Sequence, residues 1–425
     1  SILILGLILA GTSCKKDVDV NSPAVNILIP SLSTTLNVFD TLIVQVQLRD
    51  ETKLEWVRFQ IINESNVSVL PTISRSLNDV REQEVSIGFP IDDIHLASGE
   101  YYLKVTAFDG TNESSAFREL IIIEAPLELL KTYLVTSSGP NNLMIDSLVQ
   151  GQFYNAFDMT SDFSAAMVNG YDRELIVVGD ESDGVTFLSG EDLVSLSTVG
   201  SPPNDGDSFY LGSFHSEELR RSFISRRDGF VDVYAASGIL KKSIALSSNL
   251  RPHLCFADEN YIYVLQKNFS ETQFSLGIFF QGSGQFYQSI VLDEDVVKMA
   301  AFDDGVLLFH QDDGTASFYQ PEGNFIDYTV DLNLIGELID VEPVPPFEGF
   351  LFATDQGVFY NHDVVNGAPQ SLAISEAEDV EYDFVSGAVY SLNDSELLIT
   401  DLQGNLIESL GVSADARQVL LLYNK

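Results

Sequence analysis

Seven glycines recur at a near-constant pitch: Gly151, Gly190, Gly238, Gly284, Gly323, Gly367 and Gly404, separated by 39, 48, 46, 39, 44 and 37 residues. Several sit between two short runs of alternating apolar residues. "LLITDLQGNLIESLGV" (397–412), "ASFYQPEGNFIDYTV" (316–330), "VDVYAASGILKKSIAL" (231–246) and "VTFLSGEDLVSLSTV" (185–199) share almost no identities but have one rhythm. One unit shows the plan. "DVVKMAAF" (295–302), "VLLFHQ" (306–311), "TASFYQ" (315–320) and "NFIDYTVDL" (324–332) are four strand-length runs, and the breaks between them carry Asp-Gly or Gly. Asp-Gly favours the positive φ that two-residue hairpins require. A self-similar period of about 40 residues with four strands per unit is the pattern of a β-propeller.

Six units are complete in order. The first, residues 130–159, has its second, third and fourth strands but no first, and the chain ends on a lone strand-like run, "ARQVLLLYN" (416–424). The expectation is a seven-bladed ring in which the last strand enters the first unit as its innermost strand. Such closure removes both open sheet edges. A six-bladed ring is the alternative. No WD dipeptide or kelch pattern recurs. The "DLQGNL" type of turn resembles propellers of the NHL and WD-repeat-like superfamilies, and that resemblance implies a fold only.

Residues 24–125 also read as strands alone. "AVNILIP", "TLIVQVQLRD", "LEWVRFQIIN", "QEVSIGFPI", "GEYYLKVTAFDG" and "AFRELIIIE" are divided by polar or Gly/Pro breaks. In the second, Leu42, Val44, Val46 and Leu48 fall on one face and Gln45 and Gln47 on the other, the period of a half-buried strand. About seven short strands in about 100 residues suggest an immunoglobulin-like sandwich. The run holding Tyr101 resembles the penultimate strand of bacterial Ig-like domains, where such a Tyr anchors a corner. Trp56, the one Trp, falls opposite Val57, Phe59 and Ile61 and is expected at a partly exposed packing position rather than as a sugar platform. The fold class expected is therefore all-β: an Ig-like β-sandwich at 24–125 and a propeller at 126–425.

Charge excludes one class of partner. The chain of 425 residues has a formal net charge of −41, and such a field repels phosphate backbones, so nucleic acid is not a partner. The charge is also uneven. No Lys or Arg lies between Lys298 and Arg417, whereas Arg220, Arg221, Arg226, Arg227, Lys241 and Lys242 crowd together.

The first residues bear on location. Ile2 to Ala10, "ILILGLILA", are too few to span a bilayer and read as the apolar core of a secretory signal in residues 1–13, with the N-terminus of the precursor missing. "GTSC" follows. Small residues leading to a Cys resemble the lipobox of bacterial lipoproteins, with Gly11 where that family usually has Leu. The resemblance implies cleavage before Cys14 and its acylation, with palmitate as the type of chain added. The acidic residues of "KKDVDVNSPA" resemble the export signals of Bacteroidota surface lipoproteins, which implies an outer-membrane protein facing outward. Residues 14–23 would then be a lipid-anchored tether, reaching about 35 Å when extended. Cys255, in "PHLCFAD", has no partner for a disulfide if Cys14 is acylated, and reads as a small buried hydrophobe.

Chemistry-bearing motifs are few. His95, His215, His253, His310 and His362 are scattered over different units, and no zinc, P-loop or nucleophile-elbow spacing is present. Acids stand near the expected starts of the innermost strands: Asp162, Asp207, Asp295, Asp340, Asp379 and Asp415, with His253 in the same series. A ring of carboxylates would take Ca²⁺ or a cationic ligand. Turn preference of Asp accounts for the same pattern, so no cofactor is expected. "DESDG" (180–184) imitates part of a calcium loop without its later Glu. Arg220 and Arg221 follow one hairpin and Lys241 and Lys242 another, at the same end of one blade, which suggests either local salt bridges with Glu217, Glu218 and nearby acids or a patch for an acidic partner surface or a lipid-linked phosphate. The function expected is a non-catalytic surface lipoprotein that binds or scaffolds subunits of an outer-membrane complex. A glycan- or nutrient-binding lipoprotein beside a transporter would need Tyr and Phe clustered on one propeller face. A hydrolase or lyase would need convergent charges with perturbed pKa values in the channel mouth.

Overall fold

The computed structural model describes residues 21–425, apart from 140–141, 161, 180–183, 201–208, 271, 312–313, 324 and 346–348. The chain divides into a first compact unit ending at Pro126 and a second spanning Leu127–Lys425.

The first unit holds six strands among the described residues: β1 (Ala24–Ile29), β2 (Thr34–Asn37), β3 (Thr41–Ile62), β4 (Ile73–Pro90), β5 (Gly99–Phe108) and β6 (Glu113–Ile123). They join in the order β1-β3-β5-β6-β2, with β4 also on β3. This corrects the expectation of seven short strands. "TLIVQVQLRD" and "LEWVRFQIIN" are one strand of 22 residues, because no Gly or Pro interrupts them. Instead, the buried carboxylate of Asp50 accepts the backbone N–H groups of Thr52 and Lys53 at 2.7 and 3.0 Å, which carries the chain through a bulge. The first half of β3 pairs with β1 and the second with β5. Leu42, Val44, Val46 and Leu48 and then Val57, Phe59 and Ile61 all turn into the core.

The second unit contains seven four-stranded antiparallel sheets among the described residues. We number these blades I–VII and letter their strands A–D outward from the centre. Blades II to VII follow chain order, at 165–199, 210–245, 250–292, 296–331, 338–371 and 379–411. Blade I takes strands B–D from 129–159 and strand A from the chain end, Ala416–Tyr423. Neighbouring A strands pack side by side all the way round, and the last strand touches those of both blade II and blade VII. The ring is thus seven-bladed and closed by the C-terminal strand.

All seven recurrent glycines lie in C–D turns. Gly151, Gly238, Gly284 and Gly404 take φ between +70° and +80°, a region that L side chains rarely adopt. Strands B and C are buried on both faces because each blade is sandwiched between two others. Val306 to Phe309 and Phe350 to Ala353 are examples, each run shielded throughout. In strand A of blade I, Val419, Leu420, Leu421 and Leu422 are all buried. Each such side chain contributes about 1.5–3 kcal/mol relative to exposure, so the closing strand is held mainly by apolar packing.

Candidate functional site

The A strands surround a central channel, and a cavity of about 640 Å³ occupies it. Its wall comes from the A strands of blade II (Ala165–Asn169), blade III (Tyr210–Ser216), blade IV (Leu250–Ala257), blade V (Val296–Phe302), blade VI (Leu338–Val344), blade VII (Asp379–Asp383) and blade I. The two halves of the wall differ. Blades II to IV present mainly apolar side chains, Ala165, Met167, Val168, Phe214 and Phe256, with His215 and Glu217 of blade III, whereas blades V to VII add Lys298, Glu342 and Glu381 to Met299 and Ala300.

The charged half has an internal order. Asp340-Val341-Glu342 and Asp379-Val380-Glu381 are the same tripeptide on successive A strands. Period two turns Val341 and Val380 into the blade cores, where both are buried, and the flanking acids the other way. The first acid of each pair ties one blade to the next. Lys298 Nζ of blade V donates to Asp340 Oδ1 at 3.0 Å. Asp340 Oδ2 accepts the N–H of Val380 at 3.4 Å, and Asp379 Oδ2 accepts the N–H of Val419 at 2.8 Å. Gln418 of blade I continues the series, its Oε1 accepting the N–H of Ala166 at 3.0 Å. Five of the seven A strands are linked by these side chains.

Glu342 and Glu381 take no part in that chain. Neither carboxylate accepts a hydrogen bond or closes an ion pair with a described residue. Protein encloses both, yet both keep partial contact with cavity water. Enclosure pushes the Glu342 carboxyl up, and Asp340 and Asp379 add to this against the opposing pull of Lys298. Enclosure likewise raises Glu381, with Glu342 and Asp379 acting in the same direction. Asp379 is raised by enclosure and by Asp340, while its bond from Val419 opposes the change. Enclosure alone would lower Lys298, but Asp340, Glu342 and Glu381 outweigh it and hold its pKa raised. The Lys298 side chain is still 41% exposed, so channel water screens this cluster. The two glutamates were missed in the sequence; the repeated Asp-Val-Glu at the start of successive inner strands was the available signal.

The six acids proposed for a ring do not converge as one. Asp340 and Asp379 come together. Asp295 instead pairs with Lys267 at 2.6 Å. Asp162 is buried ahead of blade II, and the main-chain carbonyl of Asp415 accepts the N–H of Ser137 at 2.9 Å. Asp207 lies outside the described residues, as do Asp180 to Asp183 and Cys14. Among the described residues no group of three or more His, Cys, Asp or Glu is arranged to hold a metal ion. Cys255 is buried against Ser225, its Sγ 3.1 Å from the hydroxyl, and burial pushes its thiol up to about 12.

The four cations of blade III stand at one end of it, at the A–B and C–D turns. Arg220 lies 3.4 Å over the ring of Tyr171 from blade II. Arg221 is close enough to Lys242 to lower its pKa, after the larger effect of burial. Lys242 donates to the carbonyl of Gln281 on blade IV and so belongs to a seam, while Lys241 is exposed. Arg226 is at the other end, bound to Asp228 and Asp232.

Aromatic side chains also collect at the A–B and C–D end. Tyr261, Phe280 and Tyr287 cross strands B, C and D of blade IV with ring centroids 4.9 to 5.9 Å apart. At the channel mouth Phe384 lies 5.5 Å from Tyr382 and 5.8 Å from Tyr423. In the first unit, Trp56 stacks on Phe108 of the paired strand β5 at 5.2 Å with the Arg58 guanidinium 4.8 Å from its ring, so its partner is the adjacent strand and not a loop.

No protein-family model matches the chain, and no curated protein does. Solved structures similar to it include that of U3-55K, at 11% identity and a TM-score of 0.48, covering 60% of this chain and 83% of that one. Another is the β-propeller domain of Cps50 (Swd1) from Myceliophteria thermophila, at 11% identity and a TM-score of 0.46, covering 59% of this chain and 87% of that one.

Proposed function

We propose that this chain is a non-catalytic surface lipoprotein, anchored through Cys14 to the outer face of an outer membrane, whose propeller docks onto another subunit of a membrane complex. The first unit acts as an Ig-like spacer. Its support is Tyr101, whose hydroxyl donates to the carbonyl of Ala97 at 2.9 Å and pins the start of β5 to the preceding turn. The observation that carries the docking role is the composition of one propeller end. Arg220 and Lys241 stand there with Ile239, Leu240, Phe280 and Tyr287, all exposed. Aromatic, Arg and apolar side chains together are the mixture that protein interfaces favour. The test is recovery of co-purifying chains from solubilised outer membrane, at low and moderate salt, with wild-type protein and an Arg220→Ser/Arg221→Ser/Lys241→Ser variant. Lys242 is left in place because it serves a blade seam. The expected result is loss of a partner that wild type retains less well in salt. Equal recovery by the folded variant would overturn the role of this end.

The Tyr261–Phe280–Tyr287 stripe favours a second reading, a glycan-binding surface, since flat aromatic rings with polar edges suit a sugar's apolar face. Affinity electrophoresis in gels containing soluble polysaccharides separates the two readings. Retardation that Tyr261→Ala/Tyr287→Ala abolishes would favour the glycan; unretarded wild-type migration would sink it.

A further inference from the structure

We propose that the propeller channel is a binding site for a small organic ammonium ion that carries an apolar or aromatic body. The channel opens at the same propeller end as the docking residues, since Gly170, Glu217 and Phe384 line it, but the inference does not depend on the docking role.

Three observations converge on this ligand class. The first is space: about 640 Å³ is in the usual range for small-molecule sites and far exceeds a single ion. The second is the pair Glu342 and Glu381. Four carboxylates approach one another here, and Asp340 and Asp379 are already used by Lys298, Val380 and Val419. The two glutamates are enclosed, face the cavity and have no hydrogen-bond or ion-pair partner among the described residues. Enclosed carboxylates without partners are costly unless something neutralises them. The third is the wall beside them. Tyr382, Phe384 and Tyr423 line the same cavity, with Tyr423 within electrostatic reach of Glu381, and Met299, Leu420 and Leu421 extend the apolar surface. The Tyr423 hydroxyl donates to Asp383 at 3.0 Å, which fixes its ring in place.

The kind of cation follows from the same wall. A metal ion needs several ligands at short distance, and none of the described acids is grouped that way. An ammonium needs only charge and hydrogen-bond acceptors, and Lys298 shows the cluster holding one. The aromatic rings then take the rest of the ligand, with a cation–π contribution where the nitrogen passes a ring face. Charged and titratable groups facing the glutamates are Lys298, Asp340, Asp379 and the Tyr423 phenol, which Glu381 helps to push up; Gln418 is the polar residue from blade I. His215, Glu217 and Lys425 line the cavity further along.

The experiment is calorimetric titration of the full chain with three probes: phenethylamine hydrochloride, its neutral counterpart 2-phenylethanol, and calcium chloride. The expected result is saturable one-site binding of the amine, with the alcohol weaker by about tenfold or more, the equivalent of one lost charge contact. Calcium should neither bind in the channel nor displace the amine. Glu342→Gln/Glu381→Gln should weaken the amine by at least about tenfold and leave the alcohol unchanged. Binding should release protons, seen as a heat that depends on the buffer, because a bound ammonium favours the ionised carboxylates. Equal affinity for amine and alcohol, displacement by calcium, undiminished binding by the double variant or absence of saturable binding would each overturn the proposal. Gln keeps the side-chain volume and removes like charge, so the variant should melt no lower than wild type. If it does not fold, the amine–alcohol contrast in the wild-type protein decides alone.

Discussion

Val419 donates its backbone N–H to Asp379 Oδ2 at 2.8 Å, so a side chain of the seventh blade holds the strand that completes the first. Val419 is fully buried, and its N–H therefore has no route to water if that acceptor is removed. Asp379→Ala should lower stability by about 1–3 kcal/mol, the cost of leaving one buried donor unmade. Asp379→Asn keeps an oxygen for Val419 and removes a charge that Asp340 repels, so it should be neutral or stabilising. Urea melts followed by tyrosine fluorescence would compare them. Equal loss in both variants would show that charge, not the bond, is what Asp379 supplies.

Removing residues from Arg417 onward should abolish the cooperative melt of the second unit and cause aggregation. The deletion takes away Val419 to Leu422, opens the edge of strand B of blade I and removes the neighbour of two A strands. Calorimetry and sizing columns report this directly. A truncated chain that stays monomeric with an unchanged melting temperature would mean that the ring does not need its last strand.

Stability should fall as pH rises from the ordinary carboxylate range through neutrality. Glu342 and Asp379 are pushed up to about 8, and Glu381 is raised as well. The folded protein therefore binds protons more tightly than the unfolded chain at these sites. Their contribution is fully present below the unfolded pKa and is lost as pH climbs through the folded one. Lys298 is also raised, and its contribution persists across this window and is lost as pH climbs from its unfolded pKa through its folded one. Melting temperature from about pH 5 to about pH 8 should decline less steeply in Glu342→Gln/Glu381→Gln than in wild type. Parallel profiles would place the pH dependence in the general acidity of the chain.

Cys14→Ala should give an unacylated protein released from the membrane fraction. Metabolic labelling with a fatty-acid analogue and carbonate extraction read the two consequences separately. Continued labelling and retention in the variant would remove the lipid anchor from the proposed function.

The blades were legible because their signal is local. A two-residue turn with positive φ and a period of two along each strand are properties of neighbouring residues. The C–D glycines and the strands around "DVVKMAAF" could therefore be placed without any long-range contact. The 22-residue β3 was not legible as one strand. Its continuity depends on the Asp50 side chain bonding over a bulge, while "RDETK" has the polar look of a loop. In the channel, Asp340 and Asp379 were singled out by their place near strand starts, but as part of a ring. The structure uses them to accept the main chain of the next blade.

By itself the sequence determined an all-β chain of recurring four-stranded units and pointed to circular closure, because each follows from periodicity and from one strand missing at the start and one left over at the end; seven blades rather than six came from the structure. Only the tertiary structure decided which acids meet. Glu342 and Glu381 are 39 residues apart, each on an otherwise ordinary strand, and become neighbours because the ring places equivalent positions of successive blades around one axis. The same packing excludes bulk water from them and brings Lys298, the last cation before a long acidic stretch, to their side. Charge, enclosure and partnership are properties of that shared space and not of any segment that lines it.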